Sequence, residues 1–304
     1  MRPSLFRSRR AAGEERTPAP FIVGVGRSGT TLLRLMLDAH PELAIPPETH
    51  FAPDVIAVSR SRGNPPARVL EAITESGHWG DFAIDSDELL ARLKDVRRLD
   101  GGTALRAFYG LYAEKQGKPR WGDKTPIYVT KMREIAGALP EARFVHVIRD
   151  GRDVALSRWK RAVKGRAPAE KIAKTWRRRI RKAREQAGDV EYMELRYEDL
   201  VTDTEASLRR VCEHIGLEFD PVMLRYHEDA SERLAEMSRD LPGESGDVRH
   251  SGEERMAAHA LTSKPPTSAR IAAWREEMSP EDRIAFEDVA GELLAELGYE
   301  VKAT

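Results

Sequence analysis

The chain has 304 residues, enough for one large domain or two small ones with a substantial hydrophobic core. Its 50 lysines and arginines balance its 50 aspartates and glutamates, so the net charge predicts no particular partner. The single cysteine, Cys212, excludes an intrachain disulfide, and no stretch approaches the roughly 18 apolar residues of a membrane span. These features predict a soluble cytoplasmic protein, in which Cys212 is a buried core thiol.

The N-terminus, residues 1–20, is basic and lacks the apolar segment of a secretory signal. Its composition is typical of a disordered leader. The remainder, residues 21–304, is predicted to form a single domain, in which the Gly-rich, polar stretch 241–255 is the least ordered interior part and a candidate lid.

Four short apolar or β-branched runs are predicted as strands, and helical patterns separate them. The runs are FIVGV (21–25), PRWGD (119–123), RFVHVI (143–148) and EYMELR (191–196). Strands that alternate with helices predict an α/β fold with a parallel sheet and helices on both of its faces. Ligands of such sheets bind at the carboxyl ends of the strands.

A glycine-rich loop follows the first predicted strand and leads into an apolar helix, in the sequence GVGRSGTTLL. A helix N-terminus preceded by such a loop presents backbone N–H groups to an anion, and the helix dipole adds a favourable potential. An ordinary glycine-rich turn is the alternative. The candidate anion-binding residues of the loop are Gly26, Arg27, Ser28, Gly29, Thr30 and Thr31.

The same loop lacks one residue of the nucleoside-triphosphate motif. Gly24 and Gly29 have the spacing of that motif, but Thr30 stands where its lysine belongs. The lysine normally reaches the β- and γ-phosphates, beside a magnesium ion. The loop is therefore predicted to hold a donor with a single 5′-phosphate-linked group, without a metal.

A second candidate anion site follows the predicted strand 143–148. Arg149 stands at the carboxyl end of that strand, and Ser157 follows two helical turns later. A guanidinium and a hydroxyl are suitable donors for a second phosphate, although an arginine at this position is also an ordinary ion-pair partner. Between Arg149 and Arg184 the chain carries 15 basic and 3 acidic residues, which indicates either a nearby anion or a solvated helix face.

The pairing of GRSGTTLL with VIRDGRDVALS resembles the sulfotransferases that use 3′-phosphoadenosine 5′-phosphosulfate (PAPS). In that family the first loop holds the 5′-phosphosulfate, and the second segment holds the 3′-phosphate. PAPS has no β/γ-phosphate, and the reaction needs no metal, which accounts for the missing lysine. WGDKTP and LRYEDL extend the resemblance to the tyrosylprotein sulfotransferases and the bacterial sulfotransferases similar to them, over residues 21 to about 200.

The resemblance implies roles for individual residues. Glu48 corresponds to the general base, whereas Lys124 and Arg27 correspond to the cations that bind the bridging and sulfuryl oxygens. His50 is the alternative base; the histidine of cytosolic phenol sulfotransferases is replaced here by Pro126. The residues that the resemblance assigns to the 3′-phosphate and the adenine are Arg149, Ser157 and Arg161 for the phosphate and Tyr197 for the adenine.

One position departs from the family pattern. Ala273 precedes the C-terminal Trp274 where the tyrosylprotein enzymes have a lysine, so Arg270 or Lys264 is the candidate replacement. The acceptor is not identified beyond a hydroxyl of a small molecule, glycan, lipid or peptide tyrosine. Segment 51–118, which is rich in aromatic residues, is predicted to wall its pocket.

Three alternatives compete with active sulfuryl transfer. One is a PAPS-binding protein without catalytic activity, which the presence of Glu48, Lys124 and Arg27 argues against. A metal-dependent nucleotide kinase or NTPase shares the P-loop type of fold, but the missing lysine argues against it. A nucleic-acid-binding protein could use the basic helix KTWRRRIRKAR, yet this helix has one aromatic residue and belongs to no recognisable module. We therefore predict that the protein has no nucleic-acid partner and no membrane-spanning segment.

Overall fold

The computed structural model describes residues 16–60, 65–161, 165–242, 248–257 and 259–301. Most of the predicted leader, residues 1–15, lies outside these residues. The first strand begins at Ala19, so Ala19 and Pro20 belong to the sheet and not to the leader. The strands are β1 (Ala19–Gly24), β2 (Leu43–Ala44), β3 (Arg120–Trp121), β4 (Asp123–Lys124), β5 (Ala142–Ile148), β6 (Glu191–Arg196), β7 (Leu241–Pro242) and β8 (Val248–His250).

Helices account for most of the remaining described chain. The α-helices are α1 (Thr30–Asp38), α2 (Ala52–Val58), α3 (Pro65–Thr74), α4 (Ser86–Asp95), α5 (Gly101–Lys115), α6 (Met132–Ala138), α7 (Gly151–Trp159), α8 (Ala169–Ala187), α9 (Tyr197–Thr202), α10 (Thr204–Ile215), α11 (Ala230–Ala235), α12 (Gly252–Ala257), α13 (Trp274–Glu277) and α14 (Pro280–Glu296). Short 3₁₀ turns lie at Trp79–Asp81, Pro126–Thr130, Pro221–Arg225, Ala260–Ser263 and Ser268–Arg270.

The central sheet has four parallel strands in the order β4-β1-β5-β6. β1 and β5 pair along six positions, from Ala19 opposite Ala142 to Gly24 opposite Val147. The chain leaves β1 towards β4 on one side, and leaves β5 towards β6 on the other. The reversal of strand order therefore lies between β1 and β5, where open α/β sheets form their ligand crevice.

Alternate residues of the central strands face different helical layers. Phe21, Val23 and Phe144 pack against α2, α4, α5 and α6 on one face of the sheet. Ile22 and Val145 pack against α1 and α10 on the opposite face. Both faces are covered, as the sequence predicts, because both sets of side chains are apolar. Cys212 on α10 is a buried free thiol, as predicted.

The predicted strand at 119–123 is wrong as a single element. β3 pairs with β2 in a separate two-stranded sheet, whereas β4 pairs with β1. Gly122 separates the two short strands, and a Cβ there would lie 2.8 Å from the carbonyl oxygen of Pro20. The close passage of the two backbones explains why the chain changes sheets at this residue.

The basic run is largely a helix surface. On α8, Ile172, Trp176 and Ile180 are buried, while the opposite face carries the charges. Arg181 pairs with Glu292 at 2.9 Å, and similar pairs join other basic residues of α8 to nearby glutamates. Among the described residues, no helix combines the length and apolar composition that crossing a bilayer requires.

Candidate active site

A cavity of about 1130 Å³ opens at the carboxyl ends of the central strands. The elements that reach it include the loop after β1, the start of α1, helix α7 and the start of α9. The structure brings together nearly all sequence-predicted site residues along its wall: Gly26, Arg27, Gly29, Thr30, Thr31, Glu48, Arg149, Ser157, Arg161 and Tyr197. Ser28 and Lys124 are buried behind this wall.

Two residues of the loop between β1 and α1 have left-handed backbone conformations. Arg27 has φ 81° and Gly29 has φ 97°, both in the left-handed region. A side chain at Gly29 is excluded for a second reason, because its Cβ would lie 2.5 Å from Cδ2 of Tyr197. Gly26 meets no such restriction, since a Cβ there would have no neighbour within 4 Å.

Arg27 links the two predicted anion sites. Its Nε donates to Ser157 Oγ at 3.2 Å, so the loop after β1 and helix α7 meet in one place. Burial, together with the positive charges of Arg161 and Arg149, lowers the pKa of Arg27 to about 9. Arg27 still carries its charge at neutral pH. Three arginines held close together favour a multiply charged anion between them.

Arg149 is held by backbone and by an aromatic ring. Its Nη2 donates to the carbonyl oxygen of Arg270 at 2.7 Å, and its guanidinium carbon lies 4.4 Å from the ring centroid of Tyr197. Ser28 Oγ, Arg149 Nε and Arg161 Nη1 are buried and have no hydrogen-bond partner among the described residues. Buried donors are rarely left unpaired in native proteins, so these three atoms fit an anionic ligand.

Tyr197 lines the cavity, and most of its side chain is covered by neighbouring residues. Arg149 covers its ring, Gly29 packs against it, and the residue is only 8% exposed. The ring therefore supports Arg149 and the loop, and its assignment to the adenine stays a prediction. Any contact with a purine is restricted to the small part of the ring that lines the cavity.

Glu48 accepts two hydrogen bonds at the cavity wall. Lys124 Nζ donates to Oε1 at 2.8 Å, and His50 Nε2 lies 2.9 Å from Oε2. Burial would raise the pKa of the Glu48 carboxyl, but the Lys124 charge and the His50 hydrogen bond together hold it far below its usual range. Burial lowers the pKa of Lys124, whose side chain is 0% exposed. Glu48 is thus ionised and about 30% exposed.

A buried hydrogen-bond network fixes the segment that carries Glu48. Thr49 Oγ1 donates to Asp123 Oδ2 at 2.8 Å, and Thr49 N donates to Thr125 Oγ1 at 3.0 Å. Tyr109 also donates to Asp123, at 3.0 Å. Asp123 and Thr125, on either side of Lys124 in the sequence, are therefore hydrogen-bonded to Thr49, which follows Glu48. This arrangement explains how residues 76 positions apart form a defined pair.

The aromatic residues of segment 51–118 divide into core and cavity. Phe82, Phe108, Tyr109 and Tyr112 are buried in the core, and His78 lines the cavity. The His78 ring stacks on His50 with centroids 4.6 Å apart and an interplanar angle of 21°. Of these residues, His78 therefore belongs to the described cavity lining and the others to the core.

Residues between 254 and 277 form the remaining wall of the cavity. Of the predicted lid at 241–255, residues 243–247 lie outside the described residues, and only Glu254 and Arg255 line the cavity. Arg270 lines it, as does Ala273. Lys264 is absent from the described lining, and its carbonyl accepts a hydrogen bond from Tyr226 at 2.6 Å. Of the two candidate replacements for the family lysine, Arg270 is therefore the one that lines the described cavity.

Asp153 on α7 is hydrogen-bonded to the backbone of this wall. Its two carboxylate oxygens accept from the backbone N–H groups of Ala272 at 2.9 Å and Trp274 at 3.0 Å. Burial raises the pKa of Asp153 to about 6, against the opposing effect of the nearby Arg149 charge. Sequence reasoning missed Asp153, and it also missed the cavity-lining His259. Neither has a local sequence signal, since each acts through residues far away in the chain.

The known proteins that are similar to this chain are sulfotransferases. The chain matches the family model described as "Sulfotransferase family" over residues 18–221. It is similar to protein-tyrosine sulfotransferase A of Caenorhabditis elegans, with 27% identity over 299 residues that cover 96% of this chain and 70% of the relative. It is also similar to protein-tyrosine sulfotransferase 1 of Danio rerio, with 27% identity over 94% of this chain and 73% of the relative.

Solved structures resemble the chain in fold. A sulfotransferase domain from the curacin biosynthetic pathway matches with a TM-score of 0.61 and 19% identity, over 94% of this chain and all of that one (100%). A sulfotransferase domain from a Synechococcus olefin synthase matches with a TM-score of 0.57 and 22% identity, over 96% of this chain and 98% of that one. The predicted α/β architecture is confirmed by these matches.

Proposed function

Because the chain belongs to the sulfotransferase family and is a sulfotransferase, we propose that it transfers the sulfuryl group of PAPS to an acceptor hydroxyl, with Glu48 as general base. The observation that carries this proposal is the Lys124–Glu48 pair, at 2.8 Å, beside a phosphate-type loop that has no Walker lysine. The pair places a proton acceptor and a cation on one side of the anion site.

The donor would be held by the unpaired buried groups of the cavity. Ser28 and the N-terminal N–H groups of α1 suit the 5′-phosphosulfate, because a helix N-terminus favours negative charge. Arg149, Ser157 and Arg161 suit the 3′-phosphate. Arg27 lies between the two groups through its contact with Ser157, so it can neutralise charge on either side.

The proposed transfer divides the chemical work among three side chains. Glu48 takes the acceptor proton as the acceptor oxygen attacks sulfur. The bond between sulfur and the 5′-phosphate oxygen breaks, and its electron pair stays on that oxygen. Lys124 and Arg27 stabilise the charge that develops there and on the sulfuryl oxygens, an electrostatic effect that is usually the largest in catalysis.

For the acceptor we propose a tyrosine hydroxyl of a polypeptide. The curated relatives are named protein-tyrosine sulfotransferases, and their similarity extends over more than nine-tenths of this chain. The cavity of about 1130 Å³ exceeds the range of about 300–1,000 Å³ that is usual for a single small ligand, so donor and acceptor can lie side by side. Labelled PAPS offered with tyrosyl peptides, simple phenols, glycans and lipids decides among acceptor classes.

The alternative function is a metal-dependent nucleotide kinase or NTPase of the related P-loop fold. Thr30 in place of the lysine disfavours it, as does the family match. The absence of nucleic-acid partners and the cytoplasmic location both stay predictions.

The protein is expected to bind the product nucleotide 3′-phosphoadenosine 5′-phosphate (PAP) equally well with EDTA and with Mg²⁺. The reason is that the cavity supplies arginines and backbone N–H groups for both phosphates. Calorimetry with PAP, AMP and ATP in both buffers measures this. Tighter binding of ATP that requires Mg²⁺ would support the kinase alternative instead.

Arg149→Ala is expected to weaken PAP binding by about 1.5–3 kcal/mol, the value of a hydrogen bond to a charged group. AMP, which has no 3′-phosphate, should lose much less affinity. Arg178→Ala, which removes an exposed arginine from α8, serves as the control. Equal losses for PAP and AMP would show instead that Arg149 acts only through its contacts with Arg270 and Tyr197.

A further inference from the structure

The C-terminal wall of the cavity contains a histidine, His259, that is not among the three side chains of the proposed sulfuryl transfer. His259 lines the cavity together with Arg27 and Glu48. It immediately precedes the 3₁₀ turn Ala260–Ser263. The residues that match the family model, 18–221, do not include it.

The backbone of His259 is firmly held. Its N–H donates to the carbonyl oxygen of Met256 at 2.9 Å, and its own carbonyl accepts from Thr262 Oγ1 at 2.6 Å. The 3₁₀ turn that follows packs against α1, whose N-terminus carries the anion-binding loop. His259 therefore directly precedes a turn that contacts the helix behind that loop.

The imidazole ring, in contrast, forms no hydrogen bond and no ion pair within the described part of the chain. Burial, together with the charges of Lys124 and Arg27, holds the pKa of His259 well below its usual range. The ring is therefore neutral at pH 7. A neutral imidazole keeps one N–H donor, which it can offer to an anion without adding a charge to the site.

We propose, on the basis of the proposed sulfuryl transfer, that His259 is a further catalytic residue whose neutral ring donates a hydrogen bond to a sulfuryl oxygen of bound PAPS. Its place in the wall shared by Arg27 and Glu48 puts this donor where the sulfuryl group must pass from the 5′-phosphate to the acceptor. His259 transfers no proton in the reaction. The acceptor proton goes to Glu48, and the electron pair of the broken bond goes to the leaving phosphate.

A comparison of PAPS with PAP tests this role, because PAP lacks the sulfuryl group. In His259→Ala, PAP affinity should stay within about twofold of wild type, while kcat/KM for PAPS falls by about tenfold to a hundredfold, as expected for one lost hydrogen bond to a charged group. Competition binding should show a selective loss of PAPS affinity. His259→Asn and His259→Gln place an amide N–H near each ring nitrogen, and one of them should recover most of the activity.

His214→Ala is the matched control. His214 lies on α10 outside the described cavity lining; one of its ring nitrogens is buried without a partner among the described residues, and burial lowers its pKa as it does that of His259. Unchanged kcat/KM in His259→Ala, equal losses of PAP and PAPS affinity, or no recovery with either amide would overturn the proposal. If the wild-type protein binds neither nucleotide, the proposed function fails first, and this result is distinguishable from the others.

Discussion

Glu48→Gln is expected to lower turnover with PAPS and a tyrosyl peptide by roughly 10²–10⁴-fold, the usual cost of losing a general base. The glutamine keeps the shape of the side chain, and its carbonyl can still accept from Lys124 Nζ, so the wall of the cavity should persist. Affinity for PAP should be unchanged or slightly higher, because a negative charge is removed beside Lys124 and Arg27. Single-turnover rates and PAP calorimetry measure the two effects separately.

Glu254→Gln is the control for this substitution, since Glu254 is another carboxylate of the same cavity. A thermal melt checks that the buried Lys124 tolerates its altered partner. His50→Ala should be mild by comparison, because His50 contacts only one oxygen of Glu48. Near-normal turnover in Glu48→Gln together with lost turnover in His50→Ala would identify the histidine as the base.

Lys124→Ala is expected to reduce turnover by roughly 10²–10³-fold, in the range found for removal of one preorganised donor to developing charge. The variant should also change the pH profile. Lys124 is the main group that lowers the pKa of Glu48, so its loss raises that pKa. A base must be unprotonated to act, and the acidic limb of the kcat/KM profile should therefore move to higher pH.

Lys160→Ala removes a positive charge from the rim of the same cavity and should leave the acidic limb in place. The turnover cost of Lys124→Ala should shrink with donors that have a better leaving group, because such donors need less stabilisation. An unshifted acidic limb in Lys124→Ala, with turnover lost, would mean that the titrating base is a group other than Glu48.

Much of the fold follows from local patterns. The strand prediction for 191–196 coincides with β6, and the predictions for 21–25 and 143–148 differ from β1 and β5 by one or two residues. These strands are apolar runs bounded by turn residues, and such runs need little long-range information to be recognised. The prediction for 119–123 failed because Gly122 is placed by the backbone of Pro20, about a hundred residues earlier in the chain.

The candidate site likewise contains some residues that local sequence predicts and others that depend on distant parts of the chain. Gly29, Thr30 and Arg149 could be placed from sequence because a strand, a loop and a helix N-terminus lie next to one another in the chain, and parallel strands end at one edge. The ion pair of Glu48 with Lys124 could be expected only through the family resemblance. The hydrogen bond from His50, which adds to the effect of Lys124 in lowering the pKa of Glu48, has no sequence pattern that reveals it.

The sequence by itself determined the identity of the anion-binding elements, since their chemistry resides in contiguous residues such as GRSGTTLL. Only the tertiary structure decided which groups are unpaired, which are charged, and which face the cavity. It placed Arg149 over the ring of Tyr197, brought described residues of the C-terminal part such as Arg270 to the cavity wall, and placed His259 on the same wall as Arg27. The physical reason is that burial, hydrogen-bond pairing and charge depend on neighbours contributed by distant parts of the chain.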